Sequence, residues 1–255
     1  MSAYEIFALK YAGPREGPAA LVLWNREWDQ TFKRSSFIWC IKGPAGPIVV
    51  DAGVEPAMAE KMGLPGYVPP PQLLAGLGVE AAQVKHLILT HLHWDHVNGL
   101  KYFPQATVYL QESEYEFWSK HPLSRRPVFQ LPFDQSAVRH LEVLKQNKKL
   151  VLLKGDTEIM PGIECLLAPG HTVGLQAVAV STKKGTAVLG SDCGHTFRNY
   201  REDWPSVFIT DLKAWLESFD KLRAKVSSLE LLFPGHDPLM TDNYPVVAEN
   251  VTRLV

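Results

Sequence analysis

Apolar and polar positions in the first hundred residues alternate over short stretches cut by glycine and proline, a pattern that predicts strands rather than helices. Residues 4–11, 20–24, 36–41 and 47–50 are rich in β-branched and aromatic side chains, with Gly/Pro punctuation between them. Asp51-Ala52-Gly53 closes the last with a turn, and Pro69-Pro70-Pro71 marks a loop before a short helix near 72–77. The run Val84-Lys85-His86-Leu87-Ile88-Leu89 reads as a buried strand, 106–110 as another and 113–120 as a helix. Prolines 122, 127 and 132 break both periods across 121–133, which predicts an irregular loop, and a helix follows over 134–146.

The second half repeats the plan, with strands expected at 150–154, 163–167, 175–180 and 186–189. Leu212, Trp215, Leu216, Phe219 and Leu222 recur at i, i+3, i+4, i+7 and i+10, an apolar stripe along one helix face. A strand at 229–233 and a closing helix at 242–254 complete the reading. The pattern suggests an α/β protein of two packed sheets with helices outside. No low-complexity linker divides it, so a single domain over 1–255 is expected, with a lid-like insertion at about 112–147.

Composition narrows the class. The 255 residues are 46% hydrophobic and 21% charged, with a net charge of −1, so no basic excess argues for nucleic acid. Arg125-Arg126 and Lys145 with Lys148-Lys149 read as solvated surface, although the arginines could meet an anionic substrate. No apolar run approaches the ~20 residues of a membrane span. Met1-Ser2-Ala3-Tyr4-Glu5 lacks the basic and apolar regions of a signal peptide, and Cys40, Cys165 and Cys193 form no disulfide framework. A cytoplasmic protein is the expectation.

The chemistry is concentrated where the Val84–Leu89 strand stops. Thr90-His91-Leu92-His93-Trp94-Asp95-His96 carries three imidazoles and a carboxylate in seven residues, the groups that ligate borderline-soft divalent metals. Three further clusters sit at strand ends beside glycine: Pro169-Gly170-His171-Thr172, Gly190-Ser191-Asp192 and Pro234-Gly235-His236. Together they offer ligands enough for two metals.

The chain here resembles the metallo-β-lactamase superfamily of hydrolases. The matching residues are His-x-His-x-Asp-His at 91–96, Pro-Gly-His-Thr at 169–172, Asp192, Gly235-His236, and the turn at Val49-Val50-Asp51-Ala52-Gly53. The spacing of His171, Asp192 and His236 is similar to that of N-acyl-homoserine lactone lactonases, the quorum-quenching branch; the longer interval from His96 to His171 points to an enlarged lid. The resemblance implies a four-layer αβ/βα sandwich with two Zn2+ (other divalent metals being open) at the edge of the sheets. It implies that His91, His93 and His171 hold one metal, that Asp95, His96 and His236 hold the other, and that Asp192 bridges them. A water shared by the metals would open a lactone or related cyclic carbonyl, with Asp95 passing the proton to the leaving group. Lactonases of this branch have a tyrosine three residues after the bridging aspartate; here that position is His195, either an oxyanion donor or a plain loop residue.

The implied partner is a small molecule with an electrophilic carbonyl, without nucleic acid or membrane, and the lactonase resemblance suggests a homodimer. Trp28, Trp94, Phe129 and Phe197 are the aromatic residues expected to line an apolar pocket over the metals. Asp51 is either a turn residue or the group that orients a ligand histidine. His86, His121 and His140 read as core or surface histidines, and Cys193 as a ligand only in another branch. Alternatives are a glyoxalase II-like thioester hydrolase, a cyclic amide or imide hydrolase, and a non-catalytic or nucleic-acid-processing member of the fold. Residues 237–255 hold only Arg253 where a thioesterase of that type wants a basic patch.

Overall fold

The computed structural model describes residues 3–44 and 46–255; Met1 and Ser2, part of the stretch read above for a signal peptide, lie outside them. The strands are β1 (Glu5–Pro18), β2 (Thr31–Lys42), β3 (Ile48–Val50), β4 (His86–Ile88), β5 (Thr107–Gln111), β6 (Leu150–Leu153), β7 (Thr157–Met160), β8 (Ile163–Leu167), β9 (Gln176–Thr182), β10 (Gly185–Ser191), β11 (Leu232–Pro234), β12 (Val246–Ala248) and β13 (Val251–Arg253). They form an eight-stranded sheet in the order β12-β13-β1-β2-β3-β4-β5-β6 and a five-stranded sheet in the order β11-β10-β9-β8-β7.

Alternation along these strands explains the layers. On β1 and β2, Ile6, Ala8, Phe37, Trp39 and Ile41 pack with Cys165, Val178, Val180 and Leu189 of the other sheet, forming the core between the sheets. Their neighbours Phe7, Leu9, Ile38 and Cys40 point the other way, into a second core with Leu73, Leu74, Tyr115, Trp118 and Leu141 from the helices Pro70–Ala75, Glu112–Lys120 and Gln135–Gln146. The outer face of the second sheet (Leu166, Ala177, Ala179, Val188) is covered by Trp215, Phe219 and Leu222 of the helix Leu212–Lys225. The result is the αβ/βα sandwich of the metallo-β-lactamase fold. Strands buried on both faces read as nearly continuous apolar runs, which is why β3 and β4 were visible in the sequence.

Several elements differ from expectation. Residues 20–24 are not a strand: a 3-10 turn at Ala19–Leu21 leads into a loop in which Asn25 and Glu27 are left-handed, since a short apolar run carries no period that separates strand from buried turn. The prolines of 121–133 begin short helices instead of excluding them, at Pro122–Arg125 and Pro127–Gln130; the missing N–H does no harm in a first turn. Residues 229–231 form a 3-10 turn before β11. The helix expected over 242–254 is the hairpin β12–β13, whose two-residue link has Asn250 left-handed, and the valines and threonine favour the pleated surface over a helix. β7 and the helices Pro56–Lys61 and Phe197–Glu202 were not anticipated, nor was the length of the β1–β2 hairpin, which pairs as far as Pro18 with Thr31.

Parallel pairing of β3 with β4 and β4 with β5 in one sheet, and of β10 with β11 in the other, sends Asp51, the 91–96 loop, Asp192 and His236 out at the same edge of the sandwich. The loop between β8 and β9 brings His171 there. Loops at the carboxyl ends of parallel strands are where α/β folds build their sites.

Candidate metal centre

All seven residues singled out by spacing meet at that edge. His91, His93, His171 and Asp192 form one buried group, and Asp95, His96 and His236 a second, each with ligand atoms within 4.8 Å of one another. Asp192 lies between them with its oxygens divided. Oδ1 is 3.4 Å from His96 Nε2 and 3.1 Å from His236 Nε2; Oδ2 is 3.4 Å from His171 Nε2 and 3.9 Å from His91 Nε2. Asp95 Oδ2 sits 3.7 Å from both His96 Nε2 and His236 Nε2.

Backbone conformation makes the convergence feasible. Ser191 is left-handed with φ 45° and Asp51 with φ 62°, conformations that bulky residues avoid and that functional turns retain. Gly235 has no alternative, because a Cβ there would lie 2.3 Å from Asp192 Oδ1.

A further set of contacts fixes the rings. Asp51 accepts from His96 Nδ1 at 2.7 Å, from the Thr90 amide at 2.8 Å and from the Thr90 hydroxyl. His236 Nδ1 donates to the Ser35 carbonyl at 2.9 Å, and His91 Nδ1 lies 3.0 Å from Thr90 Oγ1. The proton thus sits on Nδ1 of His96 and His236, leaving Nε2 lone pairs turned inward, as ligand histidines require. Glu114, fully buried, accepts the amides of Leu92 at 3.0 Å and Gly174 at 2.9 Å and the Trp118 indole at 2.7 Å. It ties the 91–96 loop to the His171 loop. Its pKa is raised by burial, against the lowering effect of these donors.

These residues fit a pair of cations. Nε2 of His91 and His96, both ring nitrogens of His195 and Oδ1 of Asp192 are buried without a hydrogen-bond partner, although natural proteins seldom leave such atoms orphaned. Burial, then the neighbouring imidazoles, push His91 and His93 well below the usual histidine range, so both are neutral donors. At His96 and His236 burial acts in the same downward direction, but the carboxylates of Asp192 and Asp95 outweigh it and raise both. A cavity that draws positive charge to its centre while holding neutral imidazoles suits divalent metal.

His195 joins the centre, its Nε2 3.0 Å from Asp192 Oδ2. Burial, only partly countered by Asp192, lowers its pKa to about 4. Asp192, His195 and His236 also converge as a third potential ligand group. Asp51 is the orienting group and not merely a turn residue. Cys193 belongs to no such group among the described residues; burial holds its thiol protonated, and its carbonyl accepts the Trp215 indole.

Two connected cavities open on the centre. One of about 270 Å3 is lined by Trp94, Asp95, His171, Asp192, His195 and His236 together with Arg15, Arg34 and Ser36. The other, about 620 Å3, is mainly apolar, with Trp24, Trp118, Phe129, Phe208 and Ile209 in its wall. Of the aromatic residues expected there, Trp94 and Phe129 are brought in. Trp28 is 72% exposed and Phe197 packs between the sheets with Phe233; neither lines these cavities. Arg125 and Arg126 are exposed and away from both. Sequence reasoning missed Glu114, Thr90, Ser35 and the Arg15–Arg34 pair, which lie far from one another along the chain; only Thr90, beside the histidines, carried a local signal.

A family model, the metallo-beta-lactamase superfamily, matches residues 31–236. An N-acyl homoserine lactonase of a Bacillus species is 28% identical, over 78% of this chain and 81% of the relative. Among solved structures, an N-acyl homoserine lactone hydrolase with the product N-hexanoyl-L-homoserine at its catalytic metal centre superposes with a TM-score of 0.78 at 21% identity, covering 96% of this chain and 98% of that one. A dizinc quorum-quenching lactonase, AidC, gives 0.67 at 19% identity over 92% and 88% of the two chains.

Proposed function

The chain belongs to the metallo-beta-lactamase superfamily as a metal-dependent, lactonase-like hydrolase, and we propose that it opens the ring of a lactone of the N-acyl-homoserine type at a centre holding two zinc ions. The observation that carries this reading is the divided carboxylate of Asp192, one oxygen toward each histidine group. His91, His93 and His171 would hold one ion and Asp95, His96 and His236 the other. When bound, such a pair supplies Lewis acidity for a carbonyl and acidifies water toward neutrality.

The protein's own groups supply the rest. Asp192 spreads its charge over both ligand sets and would offset the mutual repulsion of two cations held there. Neutral His195 donates an N–H to the carbonyl oxygen as it gains negative charge. Asp95, 18% exposed at its side chain and facing the cavity, takes the proton lost by the attacking water and delivers it to the alkoxide as the ring C–O bond breaks. The apolar cavity suits an acyl chain. Residues 112–147 act as its lid in a chain that is one domain: Pro132 accepts the Trp94 amide at 2.9 Å, and Phe133 bridges to His93. The dizinc and product-bound relatives support both metal and substrate class. A second copy of the chain as partner follows from the lactonase likeness alone and is tested by light scattering.

The test is a panel of short and long acyl-homoserine lactones, aromatic lactones, cyclic imides and glutathione thioesters assayed with zinc-loaded protein. Ring opening of the lactones is expected; turnover confined to the thioesters would overturn the reading.

A further inference from the structure

Arg15 on β1 and Arg34 on β2 are direct cross-strand partners in the hairpin. Directly opposed residues of an antiparallel pair share a face, and both line the cavity that holds Asp95, Asp192 and His195. Like charges placed in this way weaken a ladder. Arg26, Arg198, Arg223 and Arg253 each reach a carboxylate, and Arg125, Arg126, Arg139 and Arg201, which reach none among the described residues, are exposed to solvent. Among the described residues, Arg15 and Arg34 reach none. Arg34 is half-buried in the wall, where burial and then the charge of Arg15 work against its own protonated form, while Asp95 and Asp192 favour it. Two arginines opposed across the hairpin, both lining the cavity beside the candidate metal centre, offer guanidiniums suited to an oxyanion.

We propose that Arg15 and Arg34 are an anion subsite, and that the preferred substrate carries a carboxylate or similar oxyanion close to the carbonyl that is cleaved. This rests on the hydrolase reading above and adds to it, because a simple N-acyl homoserine lactone is uncharged. The polar cavity takes the anionic end, the metal centre the carbonyl, and the apolar cavity, which shares Leu21, Pro132 and Phe208 with the polar one, the rest of the molecule. Arg34 and Arg15 bind and orient; they take no proton.

Two γ-butyrolactones make the test, one bearing a carboxylate at the γ carbon and the other a carboxamide there, followed by acid release with zinc-loaded wild type, Arg15→Met and Arg34→Met. The wild type is expected to prefer the carboxylate at least tenfold in kcat/KM. That preference ratio should fall at least tenfold in each variant, mainly through KM, and in the wild type it should shrink as ionic strength rises. Equal turnover of the two lactones by the wild type, or a preference that survives both substitutions and added salt, would overturn the proposal while leaving the lactonase reading intact. If neither lactone is opened, the hydrolase reading is the one in difficulty, and calorimetric titration of the zinc-loaded proteins with inorganic phosphate decides the subsite. Binding at least tenfold weaker in Arg34→Met supports it, and equal binding rejects it. Each substitution removes one of two opposed like charges, and an unchanged or higher Tm confirms that the variant is folded.

Discussion

Asp51 holds His96 by a 2.7 Å contact between its Oδ2 and the ring Nδ1, and with its other oxygen it accepts the amide of Thr90. One carboxylate at the end of β3 therefore fixes both the start of the His91–His96 loop and the tautomer of its last histidine. Asp51→Asn keeps the shape, but its amide must turn an N–H toward either Thr90 or His96. Zinc affinity is expected to fall by about 10- to 100-fold, read by competition with a chromogenic chelator. Unchanged affinity would mean that packing alone orients His96.

His195 meets the centre at Asp192 and lies against the rings of His171 and His236. His195→Ala should lower kcat by ~100-fold with little change in KM, as for other oxyanion donors, while zinc content stays the same. His195→Tyr, which restores a donor at that position, should recover part of the loss. Zinc content falling in His195→Ala would instead identify His195 as a ligand with Asp192 and His236.

Glu114 joins the two ligand loops through three donors. Glu114→Ala leaves the amides of Leu92 and Gly174 and the indole of Trp118 unpaired, and should destabilise the fold by about 3 kcal/mol, measured by urea denaturation. The pH dependence has a definite sign. Burial raises the folded pKa of Glu114, so its contribution is fully present below the ordinary carboxylate range and is lost as pH rises through the raised value. The stability of Glu114→Gln relative to wild type should therefore improve from acid toward neutral pH. A constant difference across that range would show that Glu114 does not titrate differently on folding.

Phe208 stands in the wall of both cavities and is 38% exposed. Phe208→Ala should raise KM about tenfold for a decanoyl chain, the loss expected on removing an apolar contact of this size, and less for a butanoyl chain. An equal effect on both chains would place the acyl group elsewhere.

The site was legible because its ligands are of rare types, clustered in sequence, and next to strands whose two-sided burial leaves plain apolar runs. His91, His93, Asp95 and His96 announce themselves within six residues, and His171, Asp192 and His236 become informative in series with them. What escaped notice depends on distant contacts. Glu114 is one acidic residue among several on an amphipathic helix until Leu92 and Gly174 meet it, and Arg15 faces Arg34 only because the hairpin continues beyond the expected strands. Trp28 and Phe197 show the converse limit: of two aromatic residues picked out in the sequence, one lies on the surface and the other in the core. The 242–254 segment was misread because a short amphipathic stretch fits either period, and the β-branched content that decides it for a hairpin is a weak signal on its own.

The central claim is that two metals, bridged by Asp192, open a lactone. Metal-free protein titrated with zinc while ring opening of N-hexanoyl-homoserine lactone is followed tests this directly. Activity is expected to rise until two zinc ions are bound per chain and to be absent throughout in Asp192→Ala. Full activity at one zinc ion per chain, or undiminished turnover by Asp192→Ala, would contradict it.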